Sequence, residues 1–74
     1  MGDHKGFTVV LRGYDTGEVD AMLTRVQNAL ASADPALRAS ARVELDHVVF
    51  SVRLRGYDRG QVDDYLRKAI DRLA

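Results

Sequence analysis

Apolar positions along the chain change their period twice, in the same way each time. Phe7, Val9 and Leu11 alternate with Thr8, Val10 and Arg12, the period of a half-buried strand, and Phe50, Val52 and Leu54 alternate likewise with Ser51, Arg53 and Arg55. Each extended stretch then gives way to helical spacing. Val19, Met22, Leu23, Val26, Ala29 and Leu30 recur at intervals of three and four, on one face of a helix reaching about Ser32. Val62, Tyr65, Leu66, Ala69, Ile70 and Leu73 do the same in a helix from Arg59 to about Leu73. Between them, Asp34-Pro35 reads as an N-cap followed by proline at the first helical position. It opens a connector helix with a weaker stripe of Leu37, Ala41, Leu45 and Val48, flanked by Arg38 and Arg42 and ending between Asp46 and Val49. The fold class is mainly α, in the order strand-helix-helix-strand-helix. The two extended segments, 7–11 and 50–54, are expected to pair, since a lone one leaves its amides unsatisfied. Val19, Leu23, Val26, Leu37, Leu45, Val62, Leu66 and Ile70 should form one core.

The recurrence is an internal repeat. Sliding the chain on itself by 43 positions superimposes 12 identical residues in a 24-residue window, Phe7 to Leu30 on Phe50 to Leu73. One domain, 1–74, thus holds repeat one (7–30), a connector helix (35–47) and repeat two (50–73). The repeat centres on Leu-Arg-Gly-Tyr-Asp, at 11–15 and 54–58. Asp15 with Glu18, and Asp58 with Gln61, have capping-box spacing, so each Asp starts a helix. Tyr14 with Val19, and Tyr57 with Val62, have the spacing of a hydrophobic staple. Gly13 and Gly56 stand where an extended segment bends into the helix, a place for positive φ. Capping leaves the repeated Leu11-Arg12 and Leu54-Arg55 unexplained. Asp63 with Arg67 and Asp64 with Lys68 have the favoured acid-first i,i+4 order on a solvated face.

Length changes the picture by limiting the core. A 74-residue chain buries only about 60% of its unfolded surface. A partner subunit would help, and the wide apolar face of the last helix predicts a homodimer formed through helix faces. The chain has no cysteine, which excludes disulfides and thiolate sites and fits a reducing compartment. Its apolar runs are far short of the ~20 residues of a spanning helix, and its start lacks the regions of a signal peptide, so a cytoplasmic location is expected. Met1 to Gly6 reads as a frayed end or an expression remnant, where Asp3 and His4 would make a poor metal site. Formal charge is −1 over 1–30, −1 over 31–49 and +2 over 50–74, which argues against a nucleic-acid module and puts any attraction to anionic surfaces in the second copy.

Candidate chemistry is sparse. His4 and His47 are the only histidines, and no serine lies in a nucleophile motif. His47 beside Asp46 reads as a helix-end residue rather than a dyad. The glycines form no phosphate loop and no metal-ligand spacing occurs, so no catalytic residue, cofactor or metal is expected.

The pattern Phe-x-Val-x-Leu-Arg-Gly-Tyr-Asp-x-Gly-Glu/Gln-Val-Asp-x-x-Leu resembles the amino-terminal domain of the DivIVA family, Gram-positive scaffold proteins of cell division and polar growth. The resemblance spans Phe7 to about Leu30 and Phe50 to Leu73. It implies a dimeric scaffold bound to curved cytoplasmic membrane, with an exposed loop tip that carries Phe-Arg before Gly-Tyr-Asp. By position those roles fall on Leu11 with Arg12 and Leu54 with Arg55. Leucine replaces the aromatic, and the family's following coiled coil has no counterpart in these 74 residues. A tandem pair would imitate the family's dimer within one chain, its two tips on one side. The implied function is a scaffold or adaptor that binds a membrane surface or a partner protein. The alternative is a soluble protein-binding module without lipid affinity, its Leu-Arg pairs merely core edge and solvent. Exposure of Leu11 and Leu54 discriminates between the two.

Overall fold

The structure, a computed structural model, describes residues 6–73. The expectation for Met1 to Gly6, with Asp3 and His4, therefore lies outside the described residues except at Gly6. In chain order the elements are β1 (Val9–Tyr14), α1 (Thr16–Ala31), α2 (Pro35–His47), β2 (Val52–Tyr57) and α3 (Arg59–Leu73). This is the expected order of three helices and two paired strands.

Each helix start follows from local chemistry. Asp15 accepts from the Glu18 amide at 3.0 Å, Asp58 from the Gln61 amide at 3.1 Å and Asp34 from the Ala36 amide at 2.9 Å, with Pro35 leading α2. α1 stops at Ser32, whose amide donates back to the Ala29 carbonyl at 3.2 Å while its hydroxyl accepts from the Asp34 amide at 3.0 Å. A three-residue corner thus joins α1 to α2. Arg38 fastens this pole, donating to the Arg72 carbonyl at 2.9 Å and the Leu30 carbonyl at 3.4 Å. A cation on carbonyls at the ends of α3 and α1 is where the helix dipoles favour it.

The core lies between the helices and under the strands. Val19, Met22, Leu23, Val26 and Ala29 from α1 meet Ala41 and Leu45 from α2, Val62, Leu66, Ala69 and Leu73 from α3, and Phe7, Phe50 and Tyr57. Ile70, expected in the core, is half-buried against this cluster, as is Tyr65, so the wide apolar face of α3 is largely covered within one chain. Leu37 departs from the expected core at 46% exposed. It borders a shallow groove with Asn28, Ala29 and Ser40, which are too small or too polar to cover it.

The strands depart further from expectation. They begin two residues later than expected and run on through Gly-Tyr. Partners run in opposite directions, Val9 with Tyr57, Val10 with Gly56, Leu11 with Arg55, Gly13 with Arg53 and Tyr14 with Val52, which makes the pair antiparallel. A sixth bridge, Tyr14 to Tyr57, runs in the parallel sense because the strands cross there. At the crossing the two glycines lie backbone to backbone: a Cβ on Gly56 would stand 2.6 Å from the Gly13 carbonyl carbon and oxygen. The glycines are needed for this approach, not for positive φ as expected; within the strands the left-handed residue is Arg12, at φ 60°. Nor does the half-buried alternation hold. Phe7 and Phe50 are buried, but Val9, Leu11, Val52 and Leu54 are exposed, because the strands project past the helices and only their bases meet the core.

Candidate functional site: the crossed arm

The strand pair forms an arm whose base is clamped by matching contacts. The Asp15 amide donates to the Ser51 carbonyl at 2.9 Å, and the Asp58 amide donates to the Thr8 carbonyl at 2.8 Å. This removes the reciprocal half of both expected capping boxes, since the amides that Glu18 and Gln61 would satisfy are already engaged. The freed side chains reach across instead. Glu18 accepts from the Ser51 amide at 2.8 Å and its hydroxyl at 3.1 Å. Gln61 accepts from the Thr8 amide at 2.7 Å and donates to the Thr8 hydroxyl at 3.3 Å.

The tyrosines repeat the exchange. Tyr14 donates to Asp63 at 2.8 Å and Tyr57 donates to Asp20 at 3.0 Å. Their rings pack on the phenylalanine of the other copy, Tyr14 on Phe50 at 5.2 Å and Tyr57 on Phe7 at 5.4 Å. With Asp63 engaged by Tyr14, the expected Asp63–Arg67 pair is replaced by Arg67 with Asp64 at 3.7 Å, while Lys68 pairs with Asp64 at 3.1 Å as expected.

The ion pair on Asp15 has no twin. Arg53 Nε donates to the second oxygen of Asp15 at 2.9 Å, whereas the equivalent of Arg53 in the first copy is Val10. The Glu18 amide first, and then Arg53, hold the Asp15 carboxyl below its ordinary value of 3.8. Tyr14 is shifted up from 10.0, first by burial and then by its hydrogen bond to Asp63 and the charge there, with Arg59 opposing.

Beyond this base stand the residues singled out in the sequence. Leu11 is 72% and Leu54 75% exposed, and Arg12 and Arg55 are exposed beside them. Leu11 lies directly opposite Arg55, so the two Leu-Arg pairs converge at the middle of the strand pair. Four of the seven large exposed apolar side chains of the described residues, Val9, Leu11, Val52 and Leu54, are on this arm, so it is the principal apolar surface. Its strands carry Arg12, Arg53 and Arg55 and no acid. Gly13, Tyr14, Asp15, Glu18, Gly56, Tyr57, Asp58 and Gln61 form the crossing and the clamp. Sequence reasoning missed Thr8, Ser51, Asp20 and Asp63 as clamp residues. The available signal was the shared Asp20/Asp63 and the hydroxyl kept at Thr8/Ser51, both at the repeat spacing.

Chemistry elsewhere is slight. His47 Nδ1 lies 3.0 Å from the Val43 carbonyl, one turn back on α2. Among the described residues no group of three metal-binding side chains assembles, and no helix is long and apolar enough to cross a membrane. No protein-family model matches the chain, and neither a curated protein nor a solved structure matches it.

Proposed function

We propose that the protein is a non-enzymatic scaffold or adaptor domain, DivIVA-like, whose crossed arm docks on an anionic membrane surface. The observation that carries this reading is the pair Leu11 and Leu54, 72% and 75% in water, beside free arginines on an arm held at its base. Burying a large aliphatic side chain is worth roughly 1.5 to 3 kcal/mol. Each arginine near an anionic surface adds about 1 kcal/mol. Two leucines with Arg12 and Arg55 therefore supply a modest gross attraction, suited to reversible attachment. The crossing and the clamps restrict the arm before binding, which lowers the entropy lost on docking. Clamp contacts recurring at the repeat spacing support a further element of the reading. Two copies of one unit stand as a pseudo-twofold pair within one chain and bring both tips to one side.

The test is vesicle co-sedimentation with phosphatidylglycerol and with phosphatidylcholine. Wild type should bind the anionic vesicles and release them as salt rises. Leu11→Ser/Leu54→Ser should abolish binding, and Arg12→Gln/Arg55→Gln should weaken it on anionic vesicles only. Absence of wild-type binding to either lipid would overturn the membrane reading and favour a protein partner for the same tip.

A further inference from the structure

We propose that α2 carries a self-complementary surface on which a second copy of this chain docks antiparallel. Pro35, Ala39, Arg42, Val43 and Asp46 recur at helical spacing and line one open groove of about 530 Å³, closed on its other side by Leu73. Val43, at the middle of the stripe, is 59% exposed. On either side of it stand Arg42 and Asp46, both exposed and joined by no ion pair to each other or to any other described residue.

Their position explains why they stay unpaired among the described residues. The basic-first order is the poorer i,i+4 arrangement, and Asp46 lies in the last turn of α2, where the helix dipole disfavours an acid. The other charges of this helix are engaged: Arg38 on the ends of α1 and α3, and Glu44 with Arg25 at 2.8 Å. Among the described residues, what remains on this helix is an exposed valine between one unpaired cation and one unpaired anion.

A second α2 related by a twofold axis beside Val43 satisfies all three. Run antiparallel, it sets Arg42 against the partner's Asp46 and Asp46 against the partner's Arg42. It also lays Val43 on the partner's Val43 and opposes the two helix dipoles, while Ala39 leaves room for close approach. A parallel arrangement sets like charges together. A lipid surface or nucleic acid offers no partner for the Asp46 carboxylate beside Arg42, whereas a second copy does.

Orientation gives the dimer a consequence that rests on the membrane reading of the arm. The C-terminal end of α2 leads through residues 48–51 into β2, so α2 points toward the arm. Antiparallel α2 helices aim the two arms in opposite directions, and the dimer bridges two membrane surfaces.

Light scattering over a dilution series without lipid tests the interface. Wild type should be dimeric at high micromolar concentration. Arg42→Asp and Asp46→Arg should each weaken the dimer about tenfold or more, and the charge-swapped Arg42→Asp/Asp46→Arg should restore it. Circular dichroism confirms that each variant is folded. A monomeric wild type, unchanged single variants, or a swap that fails to restore association overturns the interface. With phosphatidylglycerol vesicles, wild type should cluster them, while Arg42→Asp sediments with them unclustered. A dimeric wild type that sediments without clustering overturns the opposed arms. A dimeric wild type that does not sediment supports the interface and overturns the membrane reading alone.

Discussion

Replacing Gly56 by alanine places a Cβ 2.6 Å from both the carbonyl carbon and the oxygen of Gly13, and nearer still to the Tyr14 carbonyl oxygen. Carbon atoms at ease stand roughly 3.5 to 4.0 Å apart, so the strands must separate by about 1 Å. No rotamer change relieves this contact, because every clashing atom is main chain. Overpacking of this kind costs about 1 to 3 kcal/mol. Separation also stretches the hydrogen bonds of Asp15 to Ser51 and Asp58 to Thr8, each worth about 1 kcal/mol. The expected loss is about 2 to 5 kcal/mol, against a total of roughly 4 to 11 kcal/mol for a chain this long. At about 4 to 8 °C per kcal/mol, the melting temperature should fall by ~10 °C or more. Urea denaturation followed by circular dichroism reads the loss as a shifted midpoint with unchanged slope. Gly13→Ala, which clashes with the Gly56 and Tyr57 carbonyls, should behave alike. The control is Leu54→Ser, 75% exposed, which should stay within about 0.5 kcal/mol of wild type. A Gly56→Ala midpoint equal to that of Leu54→Ser would refute the tight crossing.

The remaining predictions concern the clamp. Asp15→Ala and Asp58→Ala should both lower the melting temperature, with Asp15→Ala costing more, because Asp15 holds Arg53 as well as its own helix start. Equal losses would show that the Arg53 ion pair contributes nothing, as many exposed pairs do. Stability should also fall at both ends of the pH range, read from thermal melts. The folded state depresses the Asp15 carboxyl, so its contribution is present above the unfolded value near 3.8 and disappears as pH drops further; Asp15→Asn should flatten that acid limb. Tyr14 is raised above 10.0, so its contribution is complete below pH 10 and is lost as pH climbs through the higher folded value. Tyr14→Phe should remove that alkaline loss.

By itself the sequence determined the helices, because the forces that set them act within a few residues. Asp15, Asp34 and Asp58 cap the helices they precede, Pro35 opens α2, and the periodic stripes of α1 and α3 are buried nearly as their spacing requires. It also marked Leu11-Arg12 and Leu54-Arg55 as residues without a local purpose, and these are the exposed tips.

Only the tertiary structure decided what the repeated motif does at its base. Periodicity cannot tell a strand lying on a core from one that projects past it, since alternation is the same in both; so Val9 and Val52 read as half-buried against a core and are exposed. Spacing three residues past a cap predicts that Glu18 and Gln61 turn back onto their own helices. Ser51 and Thr8, far away in the chain, supply carbonyls to the cap amides and leave those side chains for the other copy. The glycines follow the same logic. Their lack of a side chain matters because two backbones, brought together from opposite ends of the sequence, occupy the space where a Cβ would be.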